Sequence, residues 1–570
     1  MRIFSWRALF PLLLMVAMVA ALACGSDDDG GSGGGDGSPE DAEQVLNVNL
    51  GAEPGSLDPQ RATDSVSISV LKNLYSGLLR FNSELEVQAD LAREVPTVEN
   101  GGISEDGLTY TFELRDGLKW SDGEPLVAQA FVDAVKHLFE PGSENYYVDF
   151  YRVIAATGPD GDANVAVEKA LAEGADADTL AALEQAVSDG VQVEAPDDKT
   201  VVVHLNRPSP VFNLLTAMWP MYPIRQDLLD AHGDRWTEAG NLVSNGPFSL
   251  SRWNHAEDLQ LVRNEHWHGE GVHLDVVNMD MIEDTAVAFL AYQNDELDMI
   301  TLGPAELIQV RGTEREDEFI SYVQLSTLGI YFNLADPVMA STEARQALAG
   351  SIDRHEYAEV VREAAVLPAF GWIPSGMPGH DAEVGLQFDN DIEASQDLLA
   401  KSGHEGAEIV ILSAQSSTSV LTAEWLKQQW EQNLGVKVSI NVLETATYFS
   451  ERNAGNWQIV IGGWGADYPD PQNWMPLFRS GAGLNAGNFT NAEYDRLLDE
   501  ADAETDNDRR IEIYREAQEI LIDEAGFSPM YYGRRNALVK PWVKDLVTTS
   551  KEGQVPGDSF FSTIFISGRE

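Results

Sequence analysis

The chain of 570 residues contains a single cysteine, Cys24, so no intrachain disulfide can form and the fold must rest on its hydrophobic core. Positive charge is scarce: 37 Lys and Arg stand against 93 Asp and Glu, a net charge of −56. A field of that sign repels phosphate backbones and excludes nucleic-acid binding; the acid is read as a solvated surface. Long apolar runs are missing too. The one candidate, Ala8 to Ala23, is about 16 residues, short of the roughly 20 that span a bilayer, and Pro11 interrupts it. The body of the chain has no His-Glu-x-x-His and no Gly-x-Ser-x-Gly, and the glycines at 33–35 and 101–102 lack the Lys-Ser/Thr ending of a phosphate loop. Hydrophobic residues at 44% and charged residues at 23% are ordinary globular usage, and the length calls for more than one domain.

Residues 1–24 read as an export signal: Arg2 and Arg7 open it, and Ala21-Leu22-Ala23-Cys24-Gly25 closes it on small residues. That ending resembles a bacterial lipobox, in which the cysteine takes a lipid and becomes the mature N-terminus. Residues 25–44, rich in Gly, Asp and Ser, read as a flexible tether with a reach of roughly 25 Å. The expected product is an exported protein anchored through Cys24 to the outer face of the cytoplasmic membrane.

Structure is expected from Val45–Leu50, a strand by alternation, and a helix over 66–80 with Val66, Val70, Leu74 and Leu78 on one stripe. Leu108–Leu114 alternates as a strand, and 128–139 as a helix stopped by Pro141-Gly142. The Ala-, Glu- and Asp-rich stretch 158–190 reads as an inserted helical pair. Strands follow at 200–205, 248–250 and 259–262, then a helix at 284–294. From about 315 the pattern alternates: strand 330–333, helices 342–365 and 391–402, strand 408–413, helix 418–433, strand 436–443, strand 457–461, helices 491–502 and 507–524, and strand 530–532. The expected class is α/β, with mixed sheets and flanking helices.

Several segments then fall into a recognisable order: Gly51-Ala-Glu-Pro-Gly-Ser-Leu-Asp-Pro59, Tyr75-Ser-Gly-Leu-Leu79, the run Asp106 to Gly123, Asn245-Gly-Pro-Phe248, Ala344-Arg-Gln-Ala-Leu348 with Ile352-Asp-Arg354, Ile373 to Gly379, and Gly463-Trp-Gly-Ala-Asp-Tyr-Pro-Asp-Pro471. Together they resemble the extracellular solute-binding proteins of family 5, the oligopeptide- and dipeptide-binding lipoproteins of ABC importers. The resemblance implies a clamp of the periplasmic-binding-protein type II kind, two lobes made of three domains. Domain I would take 45–85, 213–310 and 536–570; domain II would take 86–212 with the 158–190 insertion; domain III would take 311–535, with the hinge near 310 and 535. It further implies a monomer that holds a short peptide in the cleft, docks on transmembrane permease subunits, and has neither cofactor nor catalytic activity.

Carried onto this sequence, the resemblance assigns the ligand's α-amino group to Asp467, a flat apolar wall to Trp464, and close approach of ligand backbone to Gly463 and Gly465. Tyr468, Glu53 and Arg452 fall at positions facing the ligand, and Tyr146 and Tyr147 line the cleft from domain II. Ile461 stands where some oligopeptide receptors carry an arginine for carboxylates, and Thr445 where they carry an aromatic, with Tyr448 close by. Ligand length and C-terminal recognition therefore stay open, as do a nickel chelate, haem or an oligosaccharide in place of peptide, and a sensor that docks a signalling partner. Two other readings stand beside it. His266, His268 and His273 with Glu265 and Glu270 have the donor types of a zinc or nickel site, without a closed structural spacing. The 13 Trp and dense acid would also suit a secreted hydrolase working with two carboxylates.

Overall fold

The computed structural model describes residues 43–141, 147–158, 161–172 and 174–569. The signal, nearly all of the tether, Cys24 and Tyr146 lie outside the described residues.

One eleven-stranded sheet runs through the molecule. In chain order its strands are β1 (Val45–Asn49), β2 (Phe248–Asn254), β3 (Asp258–Arg263), β4 (Val276–Asp280), β5 (Met299–Thr301), β6 (Phe319–Phe332), β7 (Leu367–Pro368), β8 (Glu408–Ala414), β9 (Lys437–Leu443), β10 (Ile459–Gly465) and β11 (Phe527–Val539). Their spatial order is β9-β8-β10-β6-β11-β5-β1-β4-β3-β2, with β7 added to β11. Pairing is mixed: β1 runs parallel to β4 and β5, and β8 parallel to β9 and β10, while β6 pairs antiparallel with β10 and β11. Helices cover the faces of the β8–β10 half, as strands alternating with helices require. Three clusters hold most of the core. One cluster gathers Leu46, Val48, Phe212, Leu259, Met279 and Ile566; two others gather residues 325–531, around Trp372, Trp474, Trp430 and Ile411. β6 and β11, of 14 and 13 residues, pass from one half to the other.

A separate three-stranded antiparallel sheet, Thr109–Glu113, Thr200–His204 and Val193–Asp197, belongs to the first lobe. The helices Ala163–Ala172 and Ala177–Gly190 occupy the inserted stretch, the second capped by Asp176. The helix expected over 66–80 ends at Leu74. The Asn245 and Gly246 N–H groups donate to its terminal Leu74 carbonyl, at 3.1 and 2.8 Å, satisfying an acceptor left over at the helix end. A Cβ on Gly246 would sit 2.6 Å from the Tyr75 nitrogen, so the Asn-Gly-Pro-Phe motif serves as a helix stop. The helix expected over 342–365 breaks after Gly350 and restarts at Arg354, because Asp353 accepts from the Glu356 N–H at 2.8 Å and caps a new turn. Thr445–Asn453, a helix the periodicity does not reveal, lies between β9 and β10. No described helix is long and apolar enough to cross a membrane.

Candidate functional site

Where β6 and β11 leave one lobe for the other, their pairing slips between Val323 and Thr327. Such an irregularity re-aims backbone away from the ladder. Leu325 there ties two other segments together: its N–H donates to the Ser550 carbonyl at 2.8 Å, and its own carbonyl accepts from the Ala466 N–H at 2.7 Å. A cavity of about 410 Å³ opens at this point. The helix Ser65–Leu74, Tyr147, Trp219 and the loop 550–554 form one wall; residues 324–326, 463–467 and Arg535 form the other.

β10 runs along this cavity with one edge free. Ser326 to Phe332 pair with it on one side, but β8 reaches only Ile459 and Val460 on the other. From Ile461 to Gly465 that edge has no partner strand among the described residues. An unpaired strand edge offers N–H and C=O groups to an extended chain, the arrangement of β-augmentation.

Asp467 lies just past the end of β10 and is buried. Its Oδ1 accepts a 2.9 Å bond from the Tyr147 hydroxyl, and its Oδ2 accepts from Asn473 Nδ2 at 3.0 Å. Asn473 Oδ1 accepts in turn from the Asp467 N–H, at 2.9 Å, and from Trp464 Nε1, at 3.2 Å. One amide thus locks both the carboxylate and the indole. The loop is pinned from below by Asp470, which takes a bidentate bond from Arg510 at 2.7 and 2.5 Å, both groups buried. Burial raises the Asp467 carboxyl to about 6; the bonds from Asn473 and Tyr147 and the charges of Lys551 and Lys72 pull it back. Asp467 makes no ion pair within 4 Å among the described residues; Lys551 and Lys72 act on this hydrogen-bonded carboxylate from farther off.

The structure brings Asp467, Trp464, Gly463, Gly465 and Tyr147 to one cavity, while Glu53, Tyr468 and Arg452 do not line it; Tyr146 lies outside the described residues. Glu53 is spent on the β2–β3 turn, accepting from the Ala256 N–H at 2.7 Å and contacting His255 Nδ1 at 2.6 Å, so it does not face the cleft. Tyr468 is fully buried, edge-on to Phe150 at 6.2 Å, with its hydroxyl on Gln472; it joins the lobes rather than touching the cavity. Arg452 lies over the Tyr331 ring at 6.0 Å, on the core of the second lobe. Gly463 also needs a different explanation. A Cβ there would come within 2.0 Å of the Thr327 carbonyl, so the close neighbour that forbids a side chain is β6. At Gly465 the nearest atom would be 4.0 Å away, which leaves that position open to a ligand.

Sequence reasoning missed Asn473, Arg510, Lys72 and Lys551. Asn473 and Arg510 had a partial signal, since a motif so rich in Gly, Pro and Asp needs outside partners to hold its shape. Lys551, in the loop that returns after β11, had none. The histidines do not converge: His268 contacts Asp90 at 3.0 Å, His273 packs edge-on to Phe565, and His266 sits against Gly123. The described residues contain no group of three or more His, Cys, Asp or Glu able to hold a metal ion.

Residues 86–486 match the family described as bacterial extracellular solute-binding proteins, family 5 Middle. The oligopeptide-binding protein OppA of Bacillus subtilis (strain 168) is 30% identical over 517 residues, covering 88% of this chain and 89% of its own. Among solved structures, Haemophilus influenzae OppA in complex with the peptide RPPGFSPFR superposes with a TM-score of 0.77 at 26% identity, covering 93% of this chain and all of its own. The murein tripeptide-binding protein MppA of Escherichia coli superposes with a TM-score of 0.79 at 26% identity, over 92% of this chain and 99% of its own. The unliganded open form of MppA, equally identical and covering 92% of this chain and 98% of its own, reaches only 0.68. The present structure therefore superposes less well on that open form, and here Tyr147 bonds Asp467 across the cavity.

Proposed function

We propose that this chain, which belongs to the bacterial extracellular solute-binding proteins of family 5, captures short peptides between its lobes and delivers them to the transmembrane subunits of an ABC importer. The observation that carries this reading is Asp467, a buried carboxylate without an ion partner among the described residues, at the end of a free strand edge. A peptide laid along Ile461–Gly465 would pair its backbone with that edge and present its α-ammonium to Asp467. An ammonium held by a hydrogen-bonded carboxylate contributes about 1.5–3 kcal/mol. Neither contact depends on side chains, which suits a receptor for many sequences.

The mechanism is closure, with no chemical step. Ligand that touches both lobes favours the closed state by its differential affinity for it. Tyr147 from one lobe and Asp467 from the other already share a hydrogen bond, and Trp219 packs edge-on to Tyr147 at 4.8 Å, so both lobes meet the same end of the ligand. The division into domain I (45–85, 213–310, 536–570), domain II (86–212) and domain III (311–535) puts the two long strands β6 and β11 close to the hinge. The protein acts as an exported monomer, held through a lipid on Cys24 at the outer face of the cytoplasmic membrane.

Native mass spectrometry of the purified protein, followed by release of whatever it carries, tests the assignment. A ladder of short peptides supports it; a metal chelate, a haem or an oligosaccharide keeps the clamp and overturns the peptide.

A further inference from the structure

Charge in the cavity runs against the rest of the molecule. In a chain with 93 acids and 37 bases, the cavity is lined by three bases, Lys72, Arg535 and Lys551, against two acids, Asp467 and Glu552. Three of these five are occupied. Lys72 pairs with Asp558 at 3.4 Å. Arg535 donates to the carbonyls of Gly553 and Gln554, which it holds in place. Glu552 accepts from the Tyr322 hydroxyl and from the Thr549 N–H at 2.7 Å. Asp467 has both oxygens hydrogen-bonded, to Tyr147 and Asn473, and among the described residues it has no ion pair within 4 Å. That leaves Lys551, which faces the same cavity more than 4 Å from Asp467.

The Lys551 ammonium makes no hydrogen bond or ion pair among the described residues; its one polar-aromatic contact is the Phe81 ring at 4.8 Å. Lys72, Trp219 and Lys551 also line a second, smaller cavity of about 80 Å³, so the two lysines stand on the partition between the spaces. Burial and the neighbouring Lys72 lower the Lys551 ammonium from its usual range, and Asp467 and Asp558 oppose that shift. The Lys551 side chain is half-buried. An ammonium partly shielded from water gains from an anion that enters the cavity beside it.

We infer that Lys551, backed by Lys72, forms an anionic subsite beside the Asp467 ammonium site, so that the preferred ligand carries a carboxylate close to its free amino terminus. The inference rests on the peptide-capture reading. It also supplies what Ile461 leaves out of the second lobe: here the carboxylate is met from the first lobe, by the loop 550–554. Two sources fit the same chemistry, the terminal carboxylate of a very short peptide or an acidic side chain near the start of a longer one.

Calorimetric titration of the purified protein separates them. The first arm compares dialanine, trialanine and tetra-alanine as free acids and as C-terminal amides. The second compares amidated tetra-alanine bearing Glu at position 1, 2 or 3 with the matching Gln peptides. In at least one matched pair the carboxylate should bind tenfold or more tightly, and Lys551→Gln should abolish that preference while shifting the uncharged partner less than threefold. Lys551→Arg should retain the preference, which separates charge from packing. If peptides bind but no pair differs in the native protein, or if Lys551→Gln weakens both members equally, the subsite is overturned and peptide capture stands. If no peptide in either arm binds, both fail. The native-protein comparison decides the matter even where the variant does not fold.

Discussion

The Tyr147 hydroxyl donates a 2.9 Å hydrogen bond to Asp467 Oδ1, joining residues 320 positions apart across the mouth of the cavity. It links a side chain of the small three-stranded region to the loop beyond β10, so that in the proposed reading the same carboxylate is both ligand group and latch. On that proposal, closing the lobes completes the amine site, and recognition and closure are one event.

Binding should weaken in acid. Burial pushes the Asp467 carboxyl up to about 6, restrained by Asn473, Tyr147, Lys551 and Lys72. An ammonium selects the ionised form, so its affinity should fall about tenfold between pH 7 and pH 5, since roughly a tenth of the carboxylate is ionised one unit below its pKa. The same raised pKa acts oppositely on stability. Its contribution is present below about pH 4, the unfolded carboxyl's range, and is lost as pH rises through about 6. Titrations of trialanine at three pH values check the first effect, and Asp467→Asn should flatten the profile.

The two glycines flanking Trp464 should separate cleanly. Gly463→Ala drives a methyl into the Thr327 carbonyl and should lower the thermal midpoint or abolish soluble expression. Gly465→Ala meets nothing closer than 4.0 Å, so the protein should melt as before while peptide affinity falls, because the methyl occupies ligand space. Melting curves and titrations on both variants check this pair.

Arg510 should behave as a brace. Replacing it with Met leaves the Asp470 carboxylate buried and unpaired, which costs about 3–5 kcal/mol. Denaturant unfolding followed by tryptophan fluorescence should show the loss, and the pair Asp470→Leu with Arg510→Met should recover part of it. Peptide affinity should drop in the single variant, since the loop it fixes carries Asp467.

Much of this was legible in the sequence. Alternation and helical spacing locate most strands and helices of the second lobe within a few residues, as at 408–413 against Glu408–Ala414. The motif around Trp464 pointed at a loop that lines the cavity between the lobes. Other failures share a physical cause, namely that the deciding partner is remote. Asn245 and Gly246 end a helix some 170 residues earlier, and the 14-residue length of β6 follows from pairing with β11 rather than from its own pattern. Arg345 and Arg354 show why a motif is not a site: they bond backbone carbonyls at Met339, Ala525 and Pro529 and hold helices to the sheet. Glu53 sits in an equally recognisable motif and fixes a turn. Lys551 belongs to no motif, and only the folded chain sets it opposite Asp467.

The most direct test of the account is a paired titration of trialanine and N-acetyltrialanine against the native protein and Asp467→Asn. The variant should bind trialanine 10- to 100-fold more weakly, the equivalent of about 1.5–3 kcal/mol, and N-acetyltrialanine within about twofold of native. Equal losses for both peptides, or an unchanged affinity for trialanine, would contradict the role of Asp467 as the seat of the amino terminus.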